Sequence, residues 1–265
     1  PVGTPRWACR EDATTHASFM LAGSWIGANS HDVKVIEKLS RQDYRAVETL
    51  LQSAQIPEGP WIHRGQEWLC ASRQFVWRQL AGKITETMLV DFHAVVRDVL
   101  GEEDPSLQLP LEQRNMAEIL GKARKYSRSL RRGLVDAVAR LATLRADGQK
   151  WADRIVQTLL DPEHPRAFER WLSLADVFSE IAEASPNVFF NTLEEMLKRN
   201  DAVRFFQDRE ANDVLFSPTS AHVFLLWALE RLAWQNEHFS RVLGILARLA
   251  EIDPGGKTSN RPMNS

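Results

Sequence analysis

The last third of the chain, Phe168 to Asn264, most constrains what the sequence can fold into. In the run FERWLSLADVFSEIAEASPNVFFNTLEEMLKR, Trp171, Leu174, Phe178, Ile181 and Ala182 recur at helical spacing. Ser185-Pro186 then breaks the chain, because a residue preceding proline is pushed out of the helical region. Pro186 suits the first turn of a following helix, where its missing N–H has no intrahelical partner to lose. That helix carries Phe189, Phe190, Leu193, Met196 and Leu197. The run SAHVFLLWALERLAWQNEHFSRVLGILARLAEI repeats the plan, with Leu225, Leu226, Leu229 and Leu232 on one stripe. Asn236 is expected to cap a second stripe of Phe239, Val242, Leu243, Leu246, Leu249 and Ile252. Ile181-Ala182 and Leu232-Ala233 occupy matching places in the two hairpins. The spacing is slightly longer than in helical repeats that stack into solenoids, and such a pair needs neighbours to cover its apolar face.

Upstream, Pro1 to Glu11 reads as a polar leader. Helices are expected from Asp12 to Gly23, with His16, Phe19, Met20 and Leu21 facing the core; from Ser30, its cap, to Leu39; and from Asp43 to Ala54, capped by Ser40. Gly23, Gly27 and Asn29 read as a loosened connection. Trp61 to Arg64 and Glu67 to Cys70 flank Gly65-Gln66, a hairpin signal. Three helices followed by a β-hairpin is the winged-helix layout, which often binds DNA through its third helix. Here Arg41 and Arg45 are set against Asp43 and Glu48, so the local basic excess that phosphate contact needs is missing. A packing role is favoured. Further helices are expected from Arg73 to Ala81, Glu86 to Leu100 and Glu112 to Arg145, and then from Trp151 to Leu160 ahead of the linker DPEHP.

The expected fold class is therefore mainly α: a leader (1–11), a winged-helix-like unit with a small β-hairpin (12–83) and a solenoid-like array of α-helical hairpins (84–265).

One stretch carries concentrated charge. KARKYSRSLRR places Arg124, Lys125, Arg128, Arg131 and Arg132 on one helical face, with Lys122 at its start. Ile119, Ala123, Tyr126, Leu130 and Leu134 fall on the other. Such a helix can hold phosphate or an acidic partner, although a solvated outer face is the commoner use. Between the hairpins, Asp201 to Thr219 contains Phe205, Phe206, Leu215 and Phe216, expected to fold back onto the core or to form a docking patch.

No catalytic constellation is legible. GGKT at Gly255 to Thr258 fails as a phosphate loop, because Glu251 stands where the first glycine belongs and a helix precedes it. DPGG reads instead as a helix-ending turn. None of the histidines is spaced for metal with a second ligand; His93 and His222 read as satisfied structural residues. Cys9 and Cys70 are the only two cysteines and form no disulfide framework, which fits a reducing cytoplasm. The net charge of −2 supplies no global attraction to nucleic acid or membrane, and no apolar run has the length of a membrane span. With no Met at position 1 and an end just after a loop, the chain reads as a piece of something larger.

Several long segments resemble a known family: LAGSW, DVLGEEDPSLQLPLEQR, YSRSLRRGLVDAVARL, LADVFSEIAEASPNVFFNTLEEML, LLWALERLAW and RVLGILARLAEIDPGGKTSNRPMNS. They are similar to the region after the ATPase core in bacterial antiviral STAND NTPases of the Avs type. The resemblance implies a winged helix followed by the start of a helical-repeat sensor. That sensor would grip a phage structural protein, terminase- or portal-like, and act through an intramolecular ATPase domain. It also implies that ATP and Mg²⁺ belong to the parent protein outside this chain, so no catalytic, cofactor or metal residue is carried over. A nucleic-acid-binding helical module using residues 122–132, or a purely structural scaffold, is the alternative.

Overall fold

The computed structural model describes residues 4–9, 11–53, 59–206, 220–256 and 260–264. These residues are mainly helical, with a small three-stranded antiparallel sheet. The chain divides into two compact units: Pro1–Leu100 with Lys125–Ile155, and Gly101–Arg124 with Val156–Ser265.

In the first unit, α1 (Arg6–Cys9) and α2 (Ala13–Ala22) lead into β1 (Ser24–Ile26). Then come α3 (Ser30–Ser40), α4 (Tyr44–Ser53), β2 (Trp61–Arg64), β3 (Glu67–Cys70), α5 (Arg73–Leu80) and α6 (Glu86–Leu100). After residues assigned to the other unit, α7 (Arg128–Leu144) returns, followed by α8 (Gly148–Leu159), which contains the division. The sheet order is β1-β3-β2. Trp25 pairs with Trp68, and Trp61 with Cys70. Gly65 turns the β2–β3 hairpin at φ 61°, a conformation that glycine adopts without steric penalty.

β1 was not expected. The stretch between Gly23 and Gly27 is a strand because Cys70 donates its N–H to the Gly23 carbonyl and Gly27 donates to Gln66. Trp25 also buries its ring there and donates its indole N–H to the Tyr44 hydroxyl at 3.1 Å. Caps differ in detail as well. Asn29, not Ser30, caps α3 by accepting the His31 and Asp32 N–H groups. Ser40 instead donates its hydroxyl to the Ile36 carbonyl.

The core of this unit is aromatic. His16, Phe19, Trp25, Trp61 and Trp68 are all buried, and Trp61 donates its indole N–H to His16 Nδ1 at 3.0 Å. The chain does not divide at residue 84. α6 buries Leu89, Phe92, Val95, Val96 and Val99 and packs on α3, while α7 packs on α2 and β1. A covered apolar stripe of that length ties both helices to the first unit.

The second unit has 3-10 turns at Pro105–Gln108 and Leu111–Met116. They are followed by α9 (Ala167–Leu174), α10 (Phe178–Ala184), α11 (Pro186–Leu197), α12 (Ala221–Ala233) and α13 (Asn236–Ile252). Pro186 opens α11 as expected. α10 lies along α12, and α11 contacts α13. Trp171, Phe178, Phe189 and Phe205 meet in the interior at centroid distances of 5.5 to 6.1 Å. Phe205 and Phe206 fold back onto the core; Leu215 and Phe216 lie outside the described residues.

Candidate functional site

The expected basic helix from Glu112 to Arg145 is corrected. Residues 111–116 form a 3-10 turn, 117–127 contain turns without an α-helix, and α7 starts only at Arg128. The positive φ of Gly121, 69°, interrupts the helical path, and Ser127 takes a cap position. Its hydroxyl accepts the Leu130 N–H at 3.1 Å, which ends any continuation upstream.

The six cations consequently do not share a face. Lys122 reaches the Gln108 side-chain carbonyl at 3.0 Å. Arg124 belongs to the second unit and ties it internally. Its guanidinium donates to the Glu102 and Ser173 carbonyls and pairs with Asp104 at 3.1 Å. Arg131 is buried and donates to the Val99 carbonyl at 3.0 Å. Val99 lies in the last turn of α6, where carbonyls lack intrahelical partners, so Arg131 closes that helix end. Lys125, Arg128 and Arg132 remain exposed.

Those three lie beside a junction invisible in the sequence. Asp32, fully buried in the first turn of α3, accepts the Ile26 N–H at 2.9 Å and the Ser127 N–H at 3.0 Å, and also the Ser127 hydroxyl. Asn29 donates its side-chain N–H to the Lys125 carbonyl, and the His31 ring stands edge-on to Tyr126 at 5.9 Å. The starts of α3 and α7 are therefore held together. Exposed Lys34 lies one turn along α3 from His31.

In the second unit a cavity of about 220 Å³ is lined by Arg114, Arg124 and Arg204, by Asp104 and Asp176, and by the start of α12. Its cations are held internally. Arg204 pairs with Glu169 at 2.7 Å and stacks over Phe168. Burial pushes the Glu169 carboxyl up, but the Arg204 hydrogen bond, a backbone hydrogen bond and the charges of Arg204 and Arg166 together hold the group below the ordinary range.

The hairpins also present an apolar exterior. Trp227 and Trp234 are 48% and 83% exposed, and Phe239 and Leu243 are each 50% exposed. Val242 and Leu249 face inward as expected, but Phe239 and Leu243 of the same expected stripe do not, and Ile245 is buried instead. Trp227 and Trp234 are seven residues apart, on the helical face opposite the Leu225–Leu232 stripe, so their exposure was readable from spacing alone. His222 is enclosed, with Nδ1 2.8 Å from the Ser220 hydroxyl and Nε2 2.9 Å from the Asn260 carbonyl.

Among the described residues, no three His, Cys, Asp or Glu side chains are gathered as metal ligands, and no helix is long and apolar enough to cross a membrane. Gly255 turns with φ 77° after α13 ends, as a helix-ending segment requires; Lys257 and Thr258 lie outside the described residues. In comparisons with known proteins, no family model, no curated protein and no solved structure matches the chain.

Proposed function

We propose that this chain is a non-catalytic recognition module, the winged-helix-like and early helical-repeat part of an antiphage STAND NTPase sensor. It binds a phage structural protein of the terminase or portal kind and passes that event to an ATPase and effector encoded outside these residues. Its setting is the bacterial cytoplasm.

The observation that carries this reading is the pairing of the two hairpins, α10 along α12 and α11 on α13, with large apolar side chains left on the outside. Stacked helical pairs of this kind form extended surfaces that bind macromolecules by shape. Trp227, Trp234 and Phe239 are the residue types that dominate binding energy at protein interfaces. The order helix, strand, helix, helix, hairpin, with β1-β3-β2 pairing, supports a winged-helix-like arrangement in the first unit. On α4, the exposed residues Arg45, Ala46, Thr49, Gln52 and Ser53 include one cation, which favours packing over DNA reading by that helix.

The test is calorimetry of the purified chain against purified terminase and portal proteins. Saturable binding that weakens at least tenfold in Trp227→Ala/Trp234→Ala is expected. Failure of every such phage protein to bind overturns the reading.

A further inference from the structure

We propose that the exposed surface around the α3–α7 junction binds the phosphodiester backbone of nucleic acid. This does not rest on the phage-protein reading, which concerns the hairpins of the second unit.

The charges come first. Lys34, Lys125, Arg128 and Arg132 are all exposed. Lys34, Arg128 and Arg132 have no ion pair among the described residues. Many other arginines of this unit do: Arg41 with Asp91, Arg73 and Arg140 with Asp136, Arg145 with Asp147. The carboxylates along these helices are already engaged: Asp136, four residues after Arg132 on α7, pairs with Arg73 and Arg140, and Glu37, one turn past Lys34 on α3, accepts the Tyr44 N–H. Asp32 is buried under its three donors, and Glu67 accepts the Ser129 hydroxyl. The junction therefore carries a local positive surplus that the chain's overall charge of −2 conceals.

Geometry comes second. Arg128 and Arg132 are four apart on α7, so their side chains neighbour one another on one face. The Asp32–Ser127 and Asn29–Lys125 hydrogen bonds hold Lys125 and the start of α3 against this helix end. The arrangement is fixed before any ligand arrives. The helix ends themselves are not the ligand site, because Asn29 and Ser127 already accept their first N–H groups. The side-chain charges make the contacts.

The ring of His31, exposed and edge-on to Tyr126, decides between classes of polyanion. An aromatic face interleaved with cations suits a nucleic-acid strand, on which bases stack while phosphates meet Lys and Arg. An acidic peptide would use the charges and leave the ring idle.

Three or four phosphate contacts predict a log–log salt slope of roughly −2 to −4. The experiment measures fluorescence anisotropy of a labelled thirty-nucleotide single strand, and of the corresponding duplex, against the intact chain over a salt series. Saturable binding at low salt with that slope is expected. Arg128→Glu/Arg132→Glu should weaken binding at least tenfold and flatten the slope by roughly two contacts. Lys34→Glu, on the other helix, should weaken it several-fold and serves should the α7 variant fail to fold. His31→Ala should weaken the single strand more than the duplex. Absence of binding at low salt, or binding that none of these variants diminishes, overturns the proposal. So does equal displacement by polyglutamate, which would mark an acidic-peptide surface.

Discussion

The Asp32 carboxylate and Ser127, 95 positions apart in the chain, form a closed hydrogen-bonded pair in which one side chain accepts both the N–H and the hydroxyl of the other. Asp32 is fully buried, and its remaining contact is the Ile26 N–H of β1. One carboxylate thus ties a strand, the start of α3 and the start of α7. Asp32→Asn should destabilise the first unit by about 1–3 kcal/mol, because an amide replaces one accepting oxygen with a donor facing donors. Urea unfolding checks this. A double-mutant cycle with Ser127→Ala should show a coupling above about 0.5 kcal/mol, and strict additivity would mean the pair does not act as a unit.

Gly133 of α7 lies directly against the backbone after α2. A Cβ built at Gly133 falls 2.0 Å from the Ala22 carbonyl oxygen and 2.9 Å from the Ser24 nitrogen. Both obstacles are main chain and cannot rotate away. Gly133→Ala should therefore lower stability by about 1–3 kcal/mol despite the better helix propensity of alanine. Gly244, in the interior of α13 with open space over its Cβ position, provides the contrast. Gly244→Ala should raise stability by about 0.5–1 kcal/mol. Equal responses at the two sites in thermal melts would contradict the packing described.

The two cysteines should label at very different rates. Burial pushes the Cys70 thiol up to about 12, against the weaker pull of Arg73, whereas Cys9 is exposed. The thiolate is the reactive form, so at mildly alkaline pH Cys70 has almost none to offer. Mass spectrometry after a short iodoacetamide pulse should find Cys9 modified and Cys70 untouched until the chain is unfolded.

His93 gives the first unit an acid sensitivity. Burial, with Arg154 and Arg97 beside it, holds its imidazole below the ordinary value of 6.5. The unfolded chain therefore takes up a proton more readily than the folded one. Stability falls as pH drops through the ordinary histidine value and levels off below the folded one. The His93→Gln variant should show a flatter stability profile across that interval, measured by urea midpoints at successive pH values. An unchanged slope would assign the acid response elsewhere.

Much of the architecture was readable. The positions of α3, α4, α6, α11, α12 and α13 follow from apolar spacing, and the hairpin of β2 and β3 from Gly65-Gln66. His16, Phe19, Met20 and Leu21 are buried as their spacing implied. Periodicity encodes these elements because each apolar stripe must be covered, whatever covers it. The candidate site was read less well. Six cations in eleven residues looked like one charged face, but a helix does not run through them.

Local pattern determined which segments are helical and which of their faces avoid water, because those preferences act over a few residues. Tertiary structure decided the rest, where a distant group had to supply the missing partner. β1 exists only because β3 offers it a ladder, and Arg131 is buried because the last turn of α6 brings it an unpaired carbonyl. Lys122, Arg124 and Lys125 do not join α7, because the backbone around Ser127 is held on Asp32, which turns the chain before the charged run can become one helix.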